Sequence, residues 1–167
     1  MYKKLFLLFL LASLVSCISQ PSTDKKFDKS QAVAYLNTFM DNWHHAAAVA
    51  DENVFFGAID TTGVYLGTDP GERWTKKAFM DWGMKYFTTR DTAWAFTPYN
   101  RIWDFSENGK TAWFDELLKT HMGICRGSGV LIKVDTVWKI KQYNLAVAVP
   151  NEKMNEYRKV VGVKILK

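Results

Sequence analysis

Between Thr111 and Gly129 the chain reads TAWFDELLKTHMGICRGSG, with two charged residues, Glu116 and Arg126, among apolar positions of strand-like alternation. A charge on the core side of a sheet costs several kcal/mol unless it is paired or serves a site. Asn108-Gly109, just upstream, is a strong hairpin signal. With those two residues as the turn, Phe105 faces Ala112, Trp103 faces Phe114 and Arg101 faces Glu116. A second turn near Thr120 to Met122 sets Phe114 opposite Ser128 and Glu116 opposite Arg126. Alternation then places Tyr99, Arg101, Trp103, Ala112, Phe114, Glu116, Arg126, Ser128, Val130 and Ile132 on one face. On the last strand Trp138, Ile140, Gln142 and Asn144 point inward, while Lys139 and Lys141 point to water.

The expected arrangement is a row of Arg101, Glu116 and Arg126 across the concave side of a sheet, a polar end to an aromatic cavity. Two guanidiniums beside Glu116 lower its pKa and make it a weak base. The surplus positive charge suits a carboxylate held by paired hydrogen bonds. Ligand contacts are therefore expected from Tyr99, Arg101, Trp103, Phe114, Arg126, Ser128, Gln142 and Asn144, with Glu116 the candidate catalytic group for proton transfer. The competing reading is an internal salt bridge that fixes strand register. A one-residue slip in either hairpin would turn Asp115 inward and Glu116 out.

Other chemistry-bearing residues point less far. His44 and His45 diverge along a helix and cannot chelate together without distant partners, so no metal is expected. His121 falls in a turn. Asp60 and Asp69 suit Asx turns as well as a pocket mouth, Trp74 and Trp82 read as core or pocket wall, and Cys125 reads as a buried structural thiol. No phosphate loop, nucleophile elbow or zinc signature occurs, and no cofactor is expected.

These side chains need a scaffold, and the chain has the means to build one. At 167 residues, 48% hydrophobic and 15% aromatic, it can bury one good core. Asp28 caps a long amphipathic helix whose Val33, Leu36, Met40, Trp43 and Ala47 recur at helical spacing up to Asp51. Val54 to Asp60 and Val64 to Gly67 read as short strands around a Thr61-Thr62-Gly63 turn, followed by a loop to Gly71. Thr75 caps a second helix with Phe79, Trp82 and Tyr86 on one face. Strands follow over about 94–106, 110–120, 123–134 and 137–149, with a short helix over 151–160 after Pro150. The expected class is α+β, with helices packed on a strongly curved antiparallel sheet.

The start of the chain has a separate logic. MYKKLFLLFLLASLVSC opens with Lys3 and Lys4, continues with an apolar run too short to span a bilayer, and ends in small residues, as export signals do. Leu14-Val15-Ser16-Cys17 resembles a bacterial lipobox, which implies cleavage after residue 16 and lipidation of Cys17. Ile18 follows, not Asp, which implies the outer membrane where a cell has two. The expected organisation is a signal over 1–16, a lipidated cysteine and polar tether over 17–27, and one domain over 28–167, anchored at the cell envelope and facing the periplasm. Removing Lys3 and Lys4 lowers the formal charge from +5 to +3. The remaining basic residues are scattered, so nucleic acid is not an expected partner.

The order of elements resembles a family. A long first helix, an aromatic second helix, the Asn108-Gly109-Lys110-Thr111-Ala112-Trp113 hairpin and the Gly127 to Asn144 pair ending in Trp138-Lys139-Ile140 are similar to the SnoaL-like branch of the nuclear-transport-factor-2-like superfamily, over roughly residues 28 to 162. The resemblance implies a cone whose helices and curved sheet enclose a pocket, commonly in a homodimer that packs through the outer sheet face. Members include cyclases, isomerases, hydrolases and dehydratases as well as proteins without known activity. Three functions are therefore expected to compete: a lipid-anchored module binding a small, partly apolar, acidic ligand; a cofactor-free cyclase, isomerase or hydrolase using a pocket carboxylate; or a structural dimer-forming envelope component.

Overall fold

The Asp28 carboxylate accepts a hydrogen bond from Gln31 N at 3.0 Å and opens helix α1 (Lys29–Ala48), as its position predicts. The computed structural model describes residues 27–162; the stretch expected to be an export signal, Cys17, the expected tether up to residue 26 and the last five residues of the expected domain lie outside the described residues. Helix α1 buries Leu36, Met40, Trp43, Ala46 and Ala47 against the sheet, together with one polar residue, His44. It ends where Ala50 takes a left-handed φ of 54°.

The segment expected as a first strand is helical. Asp51 accepts from Val54 N at 3.0 Å and caps helix α2 (Glu52–Gly57), which buries Phe55 and Phe56. A short apolar run has no periodicity that separates strand from helix, and the cap decided it. The expected turn at Thr61 to Gly63 lies inside one strand, β1 (Ile59–Leu66), whose pairing shifts register between Ile59 and Val64. Strand β2 (Arg73–Thr75) leads into helix α3 (Lys76–Thr88), capped by Thr75 as expected. Strands β3 (Thr97–Phe105), β4 (Thr111–Thr120), β5 (Gly123–Val134) and β6 (Val137–Val147) follow, then a 3₁₀ turn (Asn151–Lys153) and helix α4 (Met154–Val161).

The six strands form one curved, unclosed sheet in the order β2-β1-β6-β5-β4-β3, with β1 and β6 the parallel pair and the others antiparallel. Helix α1 lies against β3 and α2, and α3 against β1 and β2, so helices cover the concave side and the core lies between. Much of that core is aromatic. Trp43 stacks on Phe55 at 4.8 Å between centroids and meets Tyr143 edge-on at 4.7 Å, pairs worth about 0.5–1.5 kcal/mol each beyond burial.

Three local irregularities decide which side chains face inward. The first hairpin holds its expected register, with Phe105 opposite Ala112 and Trp103 opposite Phe114. Beyond Ile102, both Asn100 (φ 52°) and Arg101 oppose Glu116, and this bulge turns Tyr99 out to face Leu117. The second hairpin slips one residue from expectation: Glu116 faces Gly127, and Arg126 faces Leu117 on the outer side. In β6 an extra residue, Lys141, lies between Ile140 and Gln142, so the inward set changes from Trp138 and Ile140 to Tyr143 and Leu145.

Candidate functional site

Glu116 is fully buried, and the residues around it are not the expected pair of arginines. His44 Nε2 lies 2.7 Å from Oε1, and Arg101 Nε donates to Oε2 at 2.8 Å. Arg101 Nη2 is 2.8 Å from Oε2 and 2.9 Å from Asp41 Oδ1, distances of ion pairing without hydrogen-bond alignment. Arg101 Nη1 donates to Asn37 O at 3.1 Å, and Asn37 Oδ1 accepts from Trp103 Nε1 at 2.8 Å. The Tyr143 hydroxyl donates to Glu116 Oε1 at 3.4 Å. Helix α1 is thereby bound to β3, β4 and β6 through one carboxylate. Room for this comes from β5: a Cβ on Gly127 would overlap the Tyr143 hydroxyl and approach Glu116 Oε1 to 3.1 Å.

Burial by itself raises the Glu116 pKa, but the hydrogen bond and charge of His44 and the Arg101 guanidinium outweigh it, and the carboxyl titrates below its ordinary value. Burial and the adjacent Glu116 charge push the Tyr143 hydroxyl well up. A carboxyl whose folded pKa lies below its unfolded one contributes stability that is present above the unfolded value and lost as pH falls through the folded value. The stability that Glu116 contributes should therefore be constant with pH near neutrality, and urea midpoints should fall as pH drops below about 4.5. The acid-side slope should shrink in Glu116→Gln, and an equal slope in both proteins would contradict this assignment.

A cavity rich in aromatic side chains lies elsewhere, between α3, β1, β2, the end of β6 and the segment before β3. It holds about 280 Å³ and is walled by Tyr65, Trp74, Phe79, Trp82, Tyr86, Trp94 and Phe96, with Glu72, Arg90 and His121 among its polar lining. Helical spacing puts Phe79, Trp82 and Tyr86 on one face of α3, where Phe79 stacks on Tyr65 at 3.9 Å and Trp82 on Trp74 at 5.7 Å. The Arg90 guanidinium sits 4.7 Å from the Tyr86 ring centre, and the His121 ring stacks on Phe96 at 6.4 Å. Burial, then the charge of Glu72, raise the Tyr65 pKa. The volume is at the small end for ligand pockets, which run about 300–1,000 Å³.

None of the expected site residues lines this cavity. Arg101, Trp103, Phe114 and Glu116 are brought together inside, but in the closed core under α1. Tyr99, Arg126, Ser128, Gln142 and Asn144 are turned outward by the bulges and the slip. Tyr99 meets Lys119 there at 5.8 Å, and Arg126 pairs with Asp115 at 2.7 Å in solvent. The spare guanidinium charge expected next to Glu116 is therefore on the outer surface. His44 is the buried partner that the sequence argument passed over, although it stands four residues after Met40 and three before Ala47, within the apolar stripe of α1. Asp60 and Asp69 make Asx-type turns, accepting from Thr62 N at 3.0 Å and Gly71 N at 2.8 Å; hydrogen bonds from Thr62, then Lys141, lower the Asp60 pKa to about 2. Cys125 is buried. Among the described residues no group of three or more His, Cys, Asp and Glu could hold a metal ion.

Comparison with known proteins gives the same architecture. A family model described as SnoaL-like domain matches residues 36–150. Among solved structures, a nuclear-transport-factor-2-like protein of unknown function from Pseudomonas putida KT2440 superposes with a TM-score of 0.61 at 11% identity, over 74% of this chain and 92% of that one. A candidate scytalone dehydratase from Novosphingobium aromaticivorans DSM 12444 gives 0.60 at 12% identity over 72% and 86%. A candidate aromatic ring hydroxylase from Novosphingobium aromaticivorans gives 0.61 at 14% over 74% and 94%. At these identities the likeness is one of fold. No curated protein sequence matches the chain significantly.

Proposed function

This chain belongs to the SnoaL-like domain family, and we propose that its aromatic cavity binds a small, partly apolar ligand whose acidic group is met by Arg90. The observation that carries this reading is the lining: seven aromatic side chains converge on one open hollow with a guanidinium among them, the usual composition of a ligand pocket with few orienting polar groups. Arg90 lies over the Tyr86 ring, a stacking contact that keeps its guanidinium at the cavity lining. The buried Glu116 cluster acts at a distance by holding α1 to the sheet.

The test is a titration with small planar carboxylates, benzoate and indole-3-acetate, read by quenching of the lining tryptophans. Saturable quenching is expected in the wild type. Arg90→Met should weaken it about tenfold, the value of one charged hydrogen bond. Quenching by the corresponding amides as strong as by the acids would remove the acidic-group assignment, and no saturable quenching by any of them would remove the binding reading.

A cofactor-free isomerase or hydrolase is the second reading, favoured by the presence of Glu72 and His121 in the same lining. Proton transfer would fall to those two, because Glu116 is sealed from the cavity.

The protein is further proposed to be lipid-anchored through Cys17 at the cell envelope, on the strength of Leu14-Val15-Ser16-Cys17; Cys17→Ala should make it extractable from the membrane fraction by a high-salt wash that leaves the wild type bound. A homodimer through the outer sheet face is supported by its apolar exposure, with Ile102 at 63% and Trp113 at 45%. Sedimentation velocity should show a dimer that Trp113→Glu converts to a monomer.

A further inference from the structure

Helix α4 buries none of its residues and packs substantially on nothing but the 3₁₀ turn before it. An eight-residue helix with no packed face is marginal in water. Its composition is nevertheless strongly sided. At 100° per residue, Val160, Tyr157, Val161 and Met154 fall within an arc of about 120°. Val160 is 86% exposed and Tyr157 and Val161 46% each. The opposite side carries Asn155 and Lys159, with Arg158 and Glu156 flanking the apolar arc on its two edges.

We propose that α4 lies in the interface of an anionic lipid bilayer, its apolar arc among the acyl chains and its basic side chains at the headgroups. Charge selects this occupant. From Pro150 onward the chain carries Lys153, Arg158, Lys159, Lys164 and Lys167 against Glu152 and Glu156. Lys153 is paired with Glu156 at 3.1 Å, and no ion pair among the described residues engages Arg158 or Lys159. A cationic amphipathic helix with a tyrosine in the middle of its apolar arc suits an interfacial position, where long basic side chains reach back to the headgroups. The inference adds a second contact to the Cys17 anchor of the proposed function and rests on that reading only for the nearness of a bilayer.

The placement has a consequence for the cavity. Val147 pairs with Cys125, so β6 ends beside the Thr120–Gly123 turn, the end of the sheet where His121 and Leu145 line the hollow. Helix α4 starts at Met154, close along the chain to the end of β6 at Val147, so docking it keeps this end of the sheet near the lipid surface. Phe27 lies at the other end, its ring 5.1 Å from that of Phe105. Residues 18–27 reach at most about 35 Å, close to the length of β6 at about 3.3 Å per residue, so both contacts can be made with the domain lying along the membrane.

Hydrogen–deuterium exchange on the full chain, with and without phosphatidylglycerol vesicles, tests this. Amides of residues 155–161 should exchange at least tenfold more slowly with these vesicles, and not with phosphatidylcholine vesicles in high salt. Val160→Glu with Val161→Glu should abolish the protection while leaving exchange in α1 and the sheet unchanged. Cys17→Ala should keep the protection, which separates this inference from the anchor. Unchanged exchange in α4 with anionic vesicles would overturn the proposal even if the chain stays membrane-bound through Cys17. Protection that appears without vesicles as protein concentration rises would assign the helix to a second copy and overturn it equally.

Discussion

Glu116→Ala should destabilise the fold by about 3–5 kcal/mol, because it leaves Arg101 and His44 buried without their shared counter-charge. For a chain of this size that corresponds to a fall in Tm of about 10 °C. The loss is a penalty of orphaned charge and not the value of the pair, so removing the charges together should behave differently. Replacing His44 and Glu116 with Leu and Arg101 with Met should recover most of the stability, since an apolar set of similar volume often equals a buried ion pair. Urea unfolding of the single and triple variants decides the matter. A Glu116→Ala protein within about 1 kcal/mol of wild type would mean that the cluster does not hold α1 to the sheet.

Gly127→Ala should cost about 1–3 kcal/mol, the usual range for overpacking. The added methyl would meet the Tyr143 hydroxyl and come within 3.1 Å of Glu116 Oε1, both in the closed core. The clash has a specific remedy. Tyr143→Phe removes the overlapping oxygen, so Gly127→Ala should be milder in a Tyr143→Phe background than alone, a coupling read from a double-mutant cycle. If the two changes simply add, the close approach is relieved some other way and the glycine is not what admits the hydroxyl.

Both expectations concern residues that the sequence brought into view for another reason. Glu116 and Arg101 are legible as partners because Asn108-Gly109 sets the first hairpin and the pairing follows by counting. The helix caps at Asp28 and Thr75 and the aromatic face of α3 are legible in the same local way. The second hairpin is not. Its turn carries no comparably specific dipeptide, and with glycine at 127 and 129 the inward alternation of β5 leaves no large side chain at these positions to announce the buried face. Counting therefore placed Arg126 where Gly127 stands. The bulges at Asn100 and Lys141 were equally silent, because one extra residue leaves no trace in composition while reversing every side chain beyond it.

What the sequence determined by itself was local: the starts of α1 and α3, the succession of the last four strands, the hairpin at Asn108-Gly109, and an α+β scaffold rich enough in aromatics to line a hollow. What the tertiary structure decided was which charges face each other. His44 meets Glu116 across 72 positions, and Arg90 and His121 reach the cavity lining from a segment after α3 and a turn before β5. Hydrogen bonds within a turn or cap are set by neighbours a few residues apart, and any sequence displays them. An ion pair or a cavity wall depends on the register of strands distant in the chain, and a one-residue shift there redistributes the chemistry between the inside of the cone and its outer surface.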